Sequence, residues 1–151
     1  MKKIFLLIVC VLFITACSSN VTKVAKNVND FETIALKKGF TVDEENRDYD
    51  GVSYIYEHGK IMHGESYVEM IVYSDSEKAE AVQKTHIESF DLLKSTGAQA
   101  KRESGKNFYH YSLISNNRYM VSTRIDNTLI FCKVLIEEKE LVESLLTELG
   151  Y

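Results

Sequence analysis

"NFYHYSLISNNRYMVSTRIDNTLIFCKVLI", Asn107 to Ile136, is the stretch on which the fold turns. It holds three runs rich in Tyr, Val and Ile: "NFYHYSLIS", "RYMVSTRI" and "TLIFCKVLI". Asn116-Asn117 and Asp126-Asn127 lie between them. Asn tolerates positive φ, so both pairs stand at hairpin-turn positions. The segment therefore reads as an antiparallel meander.

Working outward, "GAQAKRE" adds a strand upstream, after Gly97. Before it, Ser74 and Glu77 have capping-box spacing. Ala79, Val82, His86, Phe90 and Leu93 then form one helical stripe bordered by Ile87. "GVSYIYEHG" and "ESYVEMIVYS" alternate with period two, as half-buried antiparallel strands do. "GFTVDEE" is a short strand that fades into the loop "NRDYDG". A first helix is expected from Val24, Val28, Phe31, Ile34 and Ala35, with an alternative start at Asn29 that leaves 18–28 as a flexible stalk. It ends at Lys37 and Lys38, with Gly39 suited to the left-handed C′ position and Phe40 as the apolar C″ residue. A last helix, about Glu138 to Leu149, carries Leu141, Val142, Leu145, Leu146 and Leu149 on one face. The order predicts an α+β domain: an antiparallel sheet with helices on one face, a two-layer sandwich with a faint two-fold repeat. A parallel nucleotide-binding sheet is disfavoured, because there is no βαβαβ rhythm and no glycine-rich phosphate loop.

The chain opens differently. Lys2 and Lys3 precede the apolar run "IFLLIVCVLFI", Ile4 to Ile14, which suits a secretory segment and is too short to span a bilayer as a helix. Ile14-Thr15-Ala16-Cys17 follows, and the chain then turns polar. This resembles the bacterial lipobox. The resemblance implies a diacylglyceryl group on the Cys17 thiol and cleavage between Ala16 and Cys17, with the membrane as partner through that lipid. An ordinary signal peptide or an uncleaved anchor is the plainer alternative. Residues 1–16 are thus expected as signal peptide, 17–22 as lipidated terminus and short tether, and 23–151 as one domain.

Without Lys2 and Lys3 the chain holds 16 basic and 22 acidic residues, a net charge of −6. Nucleic acid is therefore not an expected partner. Of the three cysteines, Cys10 and Cys17 are accounted for by the leader and the lipid, so Cys132 has no disulfide partner and reads as a packed strand residue.

The remaining chemistry is sparse. Glu57, His58, His63 and Glu65 cluster in "EHGKIMHGE", where Gly59 and Gly64 would let a hairpin bring the imidazoles together. That set is a weak candidate zinc site, weighed against a solvated hairpin tip, so no metal or other cofactor is expected. His86 stands on the apolar stripe, as a core histidine or a pH-sensitive group. Tyr54 with Tyr56 and Tyr109 with Tyr111 have i, i+2 spacing, which puts each pair on one sheet face as a candidate contact surface. Neither G-x-S-x-G nor S-x-x-K occurs, and no Cys–His pair is close in sequence, which argues against an enzyme.

"VSTRIDNTLIFCKVLIEEKELVESLLTELGY" is similar to the C-terminus of small lipoproteins of Gram-positive bacteria, through Arg124, Ile125, Asp126, Asn127, Thr128 and Leu149-Gly150-Tyr151. That resemblance implies location and fold, and no chemistry. The expectation is a lipid-anchored protein of the cell envelope: outer face of the cytoplasmic membrane in a Gram-positive cell, outer membrane in a Gram-negative one. Its domain would be a non-enzymatic module contacting an envelope protein or a wall component. A small-ligand or metal-binding lipoprotein is the alternative, and an envelope hydrolase a weaker one.

Overall fold

A computed structural model describes residues 20–44 and 52–151. The expected leader, Ala16, Cys17 and the loop "NRDYDG" lie outside the described residues. The chain forms α1 (Val28–Lys37), β1 (Thr41–Val42), β2 (Ile55–His63), β3 (Ser66–Tyr73), α2 (Ser76–Asp91), β4 (Gln99–Ser104), β5 (Phe108–Ser115), β6 (Arg118–Ile125), β7 (Thr128–Leu135), a 3₁₀ turn (Ile136–Glu138) and α3 (Lys139–Leu149). The strands make one antiparallel sheet in the order β1-β2-β3-β7-β6-β5-β4. This is an α+β helix-on-sheet sandwich. The turns are those that the sequence suggests: Asn116 and Asn117 have φ of 51° and 59°, and Asp126 has 47°.

The helices divide between the faces of the sheet. Tyr119 and Val121 of β6, with Ile130, Cys132 and Val134 of β7, share a core with Phe31 and Ile34 of α1 and Val142, Leu145, Leu146 and Leu149 of α3. The alternate residues Met120 and Phe131 pack with Phe90 of α2, and Leu129 packs with Ala79 of α2. Successive strand residues point to opposite faces, so α1 and α3 cover one face and α2 the other. The expectation of all helices on one face holds for α1 and α3 only. The two-fold repeat is likewise kept by the meanders and not by the helices. The meanders meet at β3 and β7, yet α2 and α3, which follow those strands, lie on opposite faces. The physical reason is apolar residues of both parities in β6 and β7, which leave two faces to be covered.

Helix ends follow local chemistry. Asn27 caps α1 by accepting from the Asp30 N–H at 2.8 Å, so the helix starts at neither Val24 nor Asn29. At the other end the Phe40 N–H reaches the Ala35 carbonyl and the Gly39 N–H the Leu36 carbonyl, with Gly39 at φ 90°. That is a Schellman stop, as "KKGF" suggests. Gly150 and Tyr151 close α3 in the same way, onto Thr147 and Leu146. Asp75, rather than Ser74, caps α2 and accepts from the Lys78 N–H at 2.8 Å.

Gly59 is a packing residue inside β2, not a turn residue. A Cβ there would lie 2.7 Å from Val28 Cγ1 and 3.2 Å from Phe31 Cδ1, so its absence lets α1 approach the strand. β4 is an edge strand exposed at all six positions. Lys101, Arg102 and Glu103 make it a poor template for unwanted pairing.

Candidate functional site

The four candidate tyrosines do not form one surface. Tyr109 and Tyr111 do share a face of β5, but that face lies beneath α2. Tyr111 is fully buried, with Phe90 stacked 6.4 Å away. Its hydroxyl donates to the Asp91 carboxylate, and Arg102 lies over its ring at 5.0 Å. Asp91 also pairs with Lys94 at 2.8 Å. The Lys94 and Tyr111 hydrogen bonds hold its carboxyl below the usual carboxylate range. This cluster closes the C-terminal end of α2. Tyr54 and Tyr56 are exposed instead, at 47% and 67%. They lie where β2 begins, with Tyr56 the extra residue of a bulge opposite Tyr73 and Val72.

The proposed zinc residues are also separated. β2 runs straight through "EHGKIMH", so His58 and His63 stand five residues apart on one strand, about 16 Å. Only Gly64 turns the chain, at φ 59°. Glu57 pairs opposite Val72, and Glu65 lies exposed beside the Gly64 turn. His63 Nδ1 instead lies 2.7 Å from Glu138 Oε1, while Ser66 Oγ and the Leu135 N–H donate to Oε2. Burial works against the Glu138 charge, but these hydrogen bonds outweigh it and lower the pKa. Glu138, not an imidazole, is central here, so the order of a catalytic triad is not met. The carboxylate staples the β2–β3 turn to the start of α3. Among the described residues no group of three or more His, Cys, Asp or Glu is placed to hold a metal ion.

His58 lines a small polar cleft of about 80 Å³ with Glu32, Asp43, Glu44 and Lys60. Lys60 and Asp43 pair across it at 3.3 Å. Its size is well below the roughly 300–1,000 Å³ of an ordinary small-molecule site.

Between α2 and the sheet lies a polar seam that was visible in sequence only at His86. His86 packs on Phe131 with ring centroids 4.2 Å apart, and Nδ1 lies 3.4 Å from Ser122 Oγ. Burial pulls its pKa down to about 4, so it is neutral in the fold. Gln83, one turn earlier and 3% exposed, donates to the carbonyls of Tyr109 at 2.9 Å and Ser122 at 3.1 Å. Its own oxygen accepts from Arg124 Nε at 3.3 Å, and Arg124 continues to Glu80. Each seam member has a partner, which is the condition for polar groups to be tolerated in a core. His110, on the other face of β5, is also pulled down by burial, reinforced by Lys101. Cys132 is fully buried, and burial pushes its thiol up to about 12, so it is an inert packing residue.

One further arrangement escaped sequence reading. The segment 20–27, before α1, is hydrogen-bonded to the domain. Asn107 grips the Lys23 backbone from both sides: Oδ1 accepts from its N–H at 3.0 Å, and Nδ2 donates to its carbonyl at 2.8 Å. The Lys106 N–H donates to the Val21 carbonyl at 3.1 Å, and the Lys23 ammonium lies 4.4 Å over the Phe108 ring. Gly105 fits beneath, where a Cβ would come within 2.6 Å of the Val21 carbonyl. A flexible stalk over 18–28 is therefore not what is found from Val21 onward. Ordered contacts begin inside the 17–22 stretch expected as tether. An asparagine in a turn signals only a turn, so no local pattern announces this long-range clamp.

Neither a family model, nor a curated protein, nor a solved structure matches the chain at a significant level.

Proposed function

We propose that the chain is a lipid-anchored extracytoplasmic envelope protein, held at the membrane through a diacylglyceryl group on Cys17, and that its α+β domain is a non-enzymatic binding or interaction module. The observation that carries this reading is the sequence Ile14-Thr15-Ala16-Cys17, closing an apolar run with a basic start. Basic residues, apolar length, small residues before a thiol and polar residues after it all agree with lipoprotein processing. An acidic body has little affinity of its own for an anionic membrane, so the acyl chains would supply the attachment. The partner would be an envelope protein or a wall component. Its contact surface is sought outside the helix-covered part of the sheet, at the exposed Tyr54–Tyr56 end and along β4.

The test is acyl labelling of the full chain in a bacterial host. Cys17→Ser is expected to leave an unprocessed precursor without label. A Cys17→Ser chain that still labelled and matured would overturn the reading.

A further inference from the structure

The clamp on residues 21–23 bears on where the domain sits. It rests on the lipidated-Cys17 reading and goes beyond it. Three residues lie between Cys17 and Val21, and the four Cα–Cα steps reach at most about 14 Å. The polar layer on each side of a bilayer is about 5–8 Å thick. A lipid on Cys17 would therefore hold the Val21 attachment point against, or just outside, the headgroups. The attachment point is specific. Val21 and Lys23 are fixed to Lys106 and Asn107, at the turn joining β4 to β5. Asn107 also donates to Asp126 at 2.9 Å, which ties the same corner to the β6–β7 turn.

That corner has the surface chemistry of a bilayer contact. Val21 and Val24 are exposed at 52% and 85%. Lys106, whose N–H holds the Val21 carbonyl, and Lys26, two positions after Val24, are exposed, with the Asp126 carboxylate at the same corner. Two apolar side chains flanked by two ammonium groups suit an anionic headgroup region. The opposite end of the sheet carries the Gly64–Glu65 and Asn116–Asn117 turns. It lies about 26 Å away along β2, from Ile55 to His63.

We infer that the domain is not a freely swinging head on a flexible stalk. It sits on an anionic lipid surface by the β4–β5 corner, with Val21, Val24, Lys26 and Lys106 at the headgroups and the Gly64–Glu65 end facing outward. A partner of this domain must then come to the membrane surface itself, since the tether has no length with which to reach away from it.

The test uses the full acylated protein in phosphatidylcholine–phosphatidylglycerol vesicles. Cys132 is buried and Cys17 would be acylated, so a single surface cysteine can carry a fluorophore. Lys106→Cys and Glu65→Cys place it at the two ends. Lipids with a nitroxide headgroup are expected to quench the label at position 106 at least several-fold more than at 65. Asn107→Ala, added to Lys106→Cys, is expected to narrow that ratio by releasing the clamp. Equal quenching at the two positions in the parent protein, or stronger quenching at 65, would overturn the orientation. Flotation with the vesicles separates the two levels. Flotation with equal quenching removes the orientation alone, whereas absence of both flotation and acyl label removes the lipid anchor and the orientation together.

Discussion

The two faces of the sheet are built from the same strands and are held in different ways. Beneath α1 and α3 the contact is dry: Phe31, Ile61, Val68, Met70, Val121, Ile130, Cys132, Leu145 and Leu149 are all fully buried and apolar. Beneath α2 the apolar residues fall into two smaller clusters, and between them run Gln83, His86, Ser122 and Arg124. Apolar burial is non-directional and tolerates sliding. A satisfied polar seam allows one register of helix on sheet, because any shift leaves buried donors and acceptors without partners. The α1–α3 face thus supplies most of the cohesion, and the α2 face supplies positional definition.

The largest expected effect is on the dry face. Leu145→Ala removes a fully buried side chain from the centre of α3 and should cost roughly 2–5 kcal/mol. That is a large part of a typical total of about 5–15 kcal/mol. Thermal and urea unfolding would measure it, and a loss no greater than that of an α2-face variant would erase the contrast.

The next effect is pH-dependent. The His86 pKa lies near 4 in the fold, against an ordinary value of 6.5. Between these values the unfolded chain binds the proton that the folded chain refuses. Stability is therefore complete above about pH 6.5 and falls as the pH drops toward 4. The span is about 2–3 kcal/mol after allowing for the partial solvent access of the ring. His110 is shifted in the same direction and adds to the slope. Asp91 and Glu138, with lowered pKa values, act in a separate window, losing their contribution as pH falls below the ordinary carboxylate range. A urea midpoint measured from pH 7 to 4 should fall less steeply in His86→Leu than in the parent. An unchanged slope would mean that the seam is open to water.

Gln83→Ala should cost roughly 1–3 kcal/mol by stranding two carbonyls and one Arg124 donor, with little variation between pH 7 and 5. Denaturation of the variant at both pH values would separate this hydrogen-bond loss from the His86 effect. The smallest change is expected from Glu140→Ala on the exposed side of α3, within about 0.5 kcal/mol. It is a cleaner control than Glu143, whose Oε1 accepts from the buried Tyr119 hydroxyl at 3.2 Å.

Much of the fold was readable because the signals are local. "KKGF" makes a helix stop through the conformational freedom of Gly39, whatever surrounds it. Asn116-Asn117 makes a turn because both residues accept positive φ. The period-two runs became β2, β3 and β5 to β7. The candidate sites fared differently. His58 and His63 looked close in sequence, yet a continuous strand holds them apart. Gly59 looked like a hinge, and it serves as a gap that admits α1. Tyr111 looked like surface and is core, because α2 covers it.

By itself, then, the sequence determined the strands, the turns and the stop of the first helix, and the apolar run and lipobox pattern on which the anchoring proposal rests. In each case the deciding interactions lie within a few residues of one another. Only the tertiary structure decided which helix covers which face, which polar residues enter the core, and that Asn107 grips Lys23 across 84 positions of chain. Those outcomes depend on which side of the sheet each helix crosses to, and on partners brought together by that crossing. No periodicity along the chain encodes them.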